Sequence, residues 1–194
     1  MTKSGEGRQA ATQVFGLAGW SGSGKTTLMR ALIPALTGRG LSVSTLKHAH
    51  HGFDVDTPGK DSYEHRAAGA TEVLVGSAER WALMHELRGA AEPTTEALIA
   101  LMAPVDLILI EGFKQEDHDK IEIHRPAFGR PLLCTGDPRV VAVASDSPLE
   151  GIPVPRLDLN DPGAIADFVI AHCSLAGRVR GAEMVQLGGD SLRR

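Results

Sequence analysis

The chain has 194 residues, 42% of them hydrophobic, with 20 lysines and arginines against 24 acidic residues and a formal net charge of −4. That length suits one domain with some elaboration and a full core, while the mild negative charge argues against a general electrostatic affinity for nucleic acid or anionic lipid. The apolar runs are strand-sized, so no membrane span is expected, and two distant cysteines, Cys134 and Cys173, do not make a disulfide framework.

Residues 1–12 are small and polar and read as a flexible N-terminus without the apolar core of a secretory signal, which fits a cytoplasmic protein. Residues 14–19 predict the first strand and 25–37 the first helix, with Gly38 and Gly40 as its stop. Pro34 falls inside that helix and predicts a bend or an early end. Between strand and helix, Gly19-Trp20-Ser21-Gly22-Ser23-Gly24-Lys25-Thr26 fits G-x-x-x-x-G-K-[ST], the phosphate-binding loop. Backbone N–H groups of such a loop, at a helix N-terminus, cradle the phosphates of a nucleotide. Lys25 would reach the β- and γ-phosphates as the candidate catalytic residue, and the Thr26 hydroxyl would ligate Mg²⁺.

Leu41–Leu46 alternates and predicts strand two, followed by a polar loop at 47–60 that carries Lys47, His48, His50, His51, Asp54 and Asp56. Asp61-Ser62-Tyr63-Glu64 has capping-box spacing and opens a short helix to Ala68. Thr71–Val75 and Arg80–Glu86 predict a hairpin across Gly76-Ser77, a candidate dimer element because its strand edges want covering. Pro93 opens a helix ending near Met102. Val105–Ile110 is a continuous apolar run, as expected of a strand buried on both faces. Lys120–His124 and Val140–Ala144 are further strands, and Pro162–His172 is the last helix. Strands alternating with helices around a phosphate loop imply an α/β three-layer sandwich with a largely parallel sheet and a short antiparallel excursion. The nucleotide-binding domain is placed at 13–173, and 174–194, which shows no periodicity, reads as a C-terminal tail.

In open α/β sheets ligands gather at the carboxyl ends of strands. Glu111 stands there, after the buried run, where a carboxylate can hold Mg²⁺ beside Thr26. Asp61 and Asp56 compete for the other acidic place; Asp61 also reads as a helix N-cap, and Asp54 as a solvated residue. The histidines could ligate a transition metal, but no cysteine is near and Lys47 adds positive charge. Lys47, His48 and His51 read better as an anion-recognising group for a second ligand or partner, to which Lys114 and Arg125 could add charge.

The motifs G-W-S-G-S-G-K-T-T (19–27), L-K-H-A-H-H (46–51), D-x-D-x-P-G-K-D-S (54–62), I-E-G-F-K (110–114) and K-I-E-I-H-R-P (120–126) stand in an order that resembles the molybdopterin-guanine dinucleotide biosynthesis adaptor (MobB) family over roughly residues 13–172. The resemblance implies a homodimeric GTP-binding protein of the P-loop class with at most feeble GTPase activity. It further implies a partner, the guanylyltransferase that joins GMP to molybdopterin, with molybdopterin itself a possible ligand. By that analogy Gly22, Ser23, Gly24, Lys25, Thr26 and Thr27 hold phosphates, and Thr26 and Glu111 serve Mg²⁺. Similarity to dethiobiotin synthetase, where an acidic residue opening the helix after strand two binds metal, places Asp61 ahead of Asp56. The N/T-K-x-D motif of Ras-type proteins is absent, so GTP rather than ATP rests on the resemblance. Asp146 could contact a base but reads as a turn residue before Pro148. A small-metabolite kinase or ligase, or a histidine-loop metallochaperone NTPase, are the alternatives.

Overall fold

Strand after strand of the apolar runs joins one parallel sheet. The computed structural model describes residues 11–49, 52–112 and 116–180. These fall into two compact units, one from the residues up to His48 and from Ala103 onward, the other from Ala49 to Met102. In chain order the elements are β1 (Gln13–Ala18), α1 (Lys25–Thr37), β2 (Val43–Lys47), α2 (Asp61–Ala67), β3 (Glu72–Gly76), β4 (Trp81–His85), α3 (Thr95–Ala100), β5 (Leu107–Glu111), β6 (Lys120–His124), β7 (Val140–Ser145), β8 (Arg156–Asp158) and α4 (Pro162–His172). Among the described residues no helix is long and apolar enough to cross a membrane.

The first unit holds a six-stranded sheet in the order β2-β5-β1-β6-β7-β8, parallel at every pairing. Every residue of β5 and β6 is buried, the pattern of strands covered on both faces. On one face Leu28, Leu32 and Leu36, a stripe at helical spacing on α1, meet Ile165 and Val169 of α4 over Phe15, Leu17, Leu109 and Ile121. On the other face Val140 and Val143 of β7 pack with Cys134, Leu149, Ile152 and Val154 from connecting segments.

The expected α/β class and parallel sheet are present, with local differences. α1 does not end early at Pro34 but runs on to Thr37. The proline sits in the last turn, and Gly38 N–H donates to its carbonyl at 2.9 Å, so only one ladder bond is lost. β2 begins two residues late because Ser42 is hooked outward, its N–H and hydroxyl donating to Asp106 Oδ2 at 2.8 and 2.7 Å. β8, three residues long, is too short to register as a strand in the sequence. Order also continues past Cys173: Leu175 is fully buried and Arg178 donates to the Ala11 carbonyl at 2.9 Å. Residues 181–194 lie outside the described residues.

In the second unit β3 and β4 form the expected hairpin, antiparallel with Leu74 opposite Leu83 and Gly76 opposite Trp81. The Asp61 cap is corrected: Asp61 is the first helical residue of α2, and Lys60 occupies the N-cap without a side-chain cap bond. Its carboxylate, in the first turn, still faces the positive end of the helix dipole. Asp54 is exposed, as expected, and also accepts two hydrogen bonds from Arg66 Nη2 at 2.8 and 2.9 Å; Arg66 also donates to Glu86 at 2.9 Å. This pairing holds the Asp54 carboxyl below the usual carboxylate range. Asp56 accepts from Ser62 Oγ at 3.0 Å and from the Thr57 amide at 2.9 Å. α3 starts two residues after Pro93, with Thr94 Oγ1 accepting from the Ala97 amide, a side-chain N-cap.

Candidate nucleotide-binding site

β1 and α1 are joined by a loop whose course only glycine allows. Gly19 has φ +149°, and a Cβ there would lie 2.6 Å from Ser23 Oγ and 2.7 Å from the Ile123 carbonyl oxygen, so any side chain would drive the loop off β6. Gly24, with φ +105°, is the N-cap of α1 and supplies no side-chain cap. The opening amides of a helix have no intrahelical partner, and here they face the carboxyl end of the sheet with the positive pole of a thirteen-residue helix behind them. Lys25 curls back over the loop, donating to the carbonyls of Gly19 and Trp20 at 3.0 and 3.1 Å.

β1 and β5 are neighbours, with Leu17 in register with Glu111. The structure therefore brings together the two residues assigned to Mg²⁺ from opposite parts of the sequence: Thr26 Oγ1 donates to Glu111 Oε1 at 2.6 Å. A hydroxyl and a carboxylate in contact, both hard oxygen donors, are the chemistry that suits Mg²⁺. Gly112, φ +116°, lets the chain turn close against His48, whose carbonyl would be 3.3 Å from a Cβ there. His48 N–H in turn donates to the Glu111 carbonyl at 3.1 Å. Lys47 ends β2 opposite Glu111, so Lys47 and His48 stand at the sheet end beside the candidate metal ligands. His51, His50 and Lys114 lie outside the described residues. Asp61 and Asp56 belong to the second unit.

Two features of the site were not legible as such. Arg125, leaving the end of β6, donates through Nε to the Ser23 carbonyl at 3.1 Å and pairs through Nη1 with Asp146 beyond β7. Residues read separately as surface charge and turn thus form one brace on the phosphate loop. Trp20 Nε1 donates to the Pro131 carbonyl at 2.8 Å, and the Arg130 guanidinium lies 5.7 Å from its ring centroid. The segment it reaches is anchored from below. Glu122, fully buried on β6, accepts from the amides of Leu133 and Cys134 at 2.9 to 3.0 Å. Nothing in the spacing of a strand Glu and a loop amide announces such a contact.

A parallel sheet with a glycine loop between β1 and α1, and a threonine in the first turn of α1 in contact with a carboxylate at the end of β5, defines a P-loop NTPase-like fold. Residues 14–146 match the family described as molybdopterin guanine dinucleotide synthesis protein B, MobB. The chain is 49% identical over 160 residues to the molybdopterin-guanine dinucleotide biosynthesis adapter protein of Escherichia coli strain K12, covering 81% of this chain and 91% of that one. Its namesake in Haemophilus influenzae is 43% identical over 159 residues, covering 80% and 86%. The solved structure of a MobB protein homolog from Bacillus stearothermophilus superposes with a TM-score of 0.60 at 25% identity, covering 84% of this chain and 98% of that one. The chain belongs to the MobB family.

Proposed function

We propose that this protein is a cytoplasmic GTP-binding adapter in molybdopterin-guanine dinucleotide biosynthesis. It holds GTP and Mg²⁺ and assists the guanylyltransferase that joins GMP to molybdopterin, with little turnover of its own. The observation that carries the reading is the 2.6 Å contact between Thr26 Oγ1 and Glu111 Oε1 at the mouth of the glycine loop. Gly22 to Thr27 take the phosphates, Lys25 turns from its loop carbonyls to the β- and γ-oxygens, and Thr26 and Glu111 hold the metal, with Asp61 a further candidate ligand. Lys47, His48 and His51 meet a second anionic ligand or the partner, with molybdopterin a candidate. Likeness to the molybdopterin-guanine dinucleotide biosynthesis adapter proteins of two bacteria supports the adapter role. Homodimerisation is assigned to the hairpin, where Leu74, Trp81 and Leu83 are exposed on one face.

The test is nucleotide binding and turnover with Mg²⁺, by the full chain alone and with molybdopterin and the guanylyltransferase. Expected are Mg²⁺-dependent GTP binding, slow hydrolysis alone, and stimulation of dinucleotide formation. Rapid turnover by the chain alone, or tight stoichiometric Zn²⁺ or Ni²⁺ binding, would overturn the adapter reading.

A further inference from the structure

One buried carboxylate of the first unit touches no ligand position, yet its contacts lead to the phosphate loop. Glu122 is fully buried at the middle of β6. It lies in register with the buried Val143 of β7, whose small apolar cluster takes in Leu132, Leu133 and Cys134. A carboxylate in such a place costs folding free energy that well-packed apolar side chains of the same volume would not. What it gives in return is direction. Oε1 and Oε2 accept from the Leu133 amide at 2.9 and 3.0 Å, and Oε2 accepts from the Cys134 amide at 3.0 Å. Apolar contacts alone could press this segment onto the sheet, but they are non-directional, and charge-assisted hydrogen bonds fix where each amide stands. The segment is tied farther along as well: the Leu133 carbonyl accepts from the Gly136 and Asp137 amides at 2.9 and 3.0 Å, and Asp137 accepts from the buried Lys120 at 3.1 Å.

We propose that Glu122 is a positioning residue of the phosphate loop, acting through the 131–134 segment and the indole of Trp20. Two residues before Leu133, the Pro131 carbonyl accepts from Trp20 Nε1 at 2.8 Å, and the Arg130 guanidinium covers the ring at 5.7 Å from its centroid. Trp20 is the second residue of the loop. Its main-chain carbonyl accepts from the Ser23 amide and from Lys25 Nζ, both at 3.1 Å. The place of that carbonyl therefore sets the turn that aims Ser23 and Lys25, two of the residues assigned to phosphate. Two hydrogen-bonded links, carboxylate to amide and indole to carbonyl, thus tie the loop to the interior of the sheet. Donors that must converge on an anion bind it more tightly when they are held in place beforehand. This role rests on the nucleotide-binding function proposed above, and it concerns the phosphate end alone, so it is indifferent to the base.

The experiment measures affinity for GTP and for inorganic tripolyphosphate, each with Mg²⁺, together with denaturant unfolding midpoints. It uses the full wild-type chain, Glu122→Gln, Trp20→Phe, the double variant and Val143→Ala. Glu122→Gln keeps the shape but leaves one acceptor oxygen for two amides, and Trp20→Phe keeps a ring but removes the indole donor. Val143→Ala opens the same cluster and spares all of these hydrogen bonds. Glu122→Gln and Trp20→Phe are each expected to weaken both probes about tenfold, roughly the worth of one good hydrogen bond. The double variant is expected to stay within about twofold of Trp20→Phe, because residues on one path do not add. Val143→Ala is expected to lower the unfolding midpoint while binding both probes within about twofold of wild type. Additive losses in the double variant, either single variant binding like wild type, or equal weakening by Val143→Ala would overturn the positioning role and leave the phosphate loop its function. Trp20→Phe alters a half-buried side chain outside the core, so it tests the last link even if Glu122→Gln does not fold. A wild type that binds neither probe overturns the nucleotide reading and this proposal together.

Discussion

The two units of this chain solve the problem of burying apolar surface in opposite ways. In the first, the central strands β5 and β6 are buried at every position, and a single cluster links both helices to the sheet. In the second, the hairpin buries Val73 but exposes Leu74 (64%), Trp81 (69%) and Leu83 (48%) on its other face. A parallel sheet needs both faces covered and so makes a self-sufficient core. A two-stranded ribbon has too little surface to do so and is marginal by itself. Large exposed apolar side chains in contact mark a surface that something covers. The first unit therefore holds the stability core and the proposed nucleotide site, and the second is suited to carry an interface.

The sharpest way to break this contrast is in the sheet. Ile121→Ala removes a fully buried side chain and should cost about 2–5 kcal/mol in denaturant unfolding; a loss as small as that of an exposed substitution would mean that the sheet is not the stability core. At the loop, Lys25→Ala removes a charge-assisted donor, expected to weaken GTP by about ten- to a hundredfold with little change in melting temperature. Glu111→Gln should reduce the Mg²⁺ dependence of that binding, and unchanged dependence would sink its metal role. In the hairpin, Leu83→Asp should convert a dimer to a monomer by light scattering while changing monomer stability by about 0.5 kcal/mol or less. A wild-type monomer would remove the interface from the comparison. Val73, though in the same strand pair, is a poor probe of dimerisation: it is buried, so a charge there would disrupt the hairpin itself.

The smallest expected effect lies at the far end of the first unit's sheet. His118 packs against Gly16, whose hypothetical Cβ would fall 2.5 Å from the ring Nε2. Burial, aided by the neighbouring Lys120 charge, lowers its pKa below the usual imidazole value, against the opposing pull of Glu116, Asp119 and Asp137. A depressed folded-state pKa gives stability that is full above the unfolded value and is lost as pH falls through the folded one. Unfolding midpoints should therefore decline as pH drops below about 6.5, and His118→Asn should flatten that slope. Further acidification reaches Asp119. Its burial opposes ionisation, but hydrogen bonds from His172 and Arg139 prevail and hold its pKa below the usual carboxylate range. It adds a second loss below the ordinary carboxyl range.

Legibility followed range along the chain. The glycine loop could be read because strand, turn and helix are adjacent and each has its own local signal, and Lys120–His124 and Pro162–His172 were bounded correctly for the same reason. The hairpin was legible because its partners lie within ten or so residues of each other. Asp61 was misplaced by one position because Asp-x-x-Glu spacing fits both a cap and a first turn, and the extended backbone of Lys60 decides between them. The role of Arg66 in gathering Asp54 and Glu86 was missed, since a charged helical residue looks the same whether solvated or paired.

By itself the sequence determined the phosphate loop, the α/β class and the placing of Glu111 at a strand end, all consequences of local backbone preference and hydrophobic period. Only the tertiary structure decided that β1 lies between β5 and β6, and hence that Thr26 meets Glu111 across 85 positions of chain. It alone joined Arg125 to Ser23 and Asp146 and set Glu122 against the amides of Leu133 and Cys134. Those contacts depend on strand order, which no local pattern encodes because parallel neighbours are separated by long crossovers.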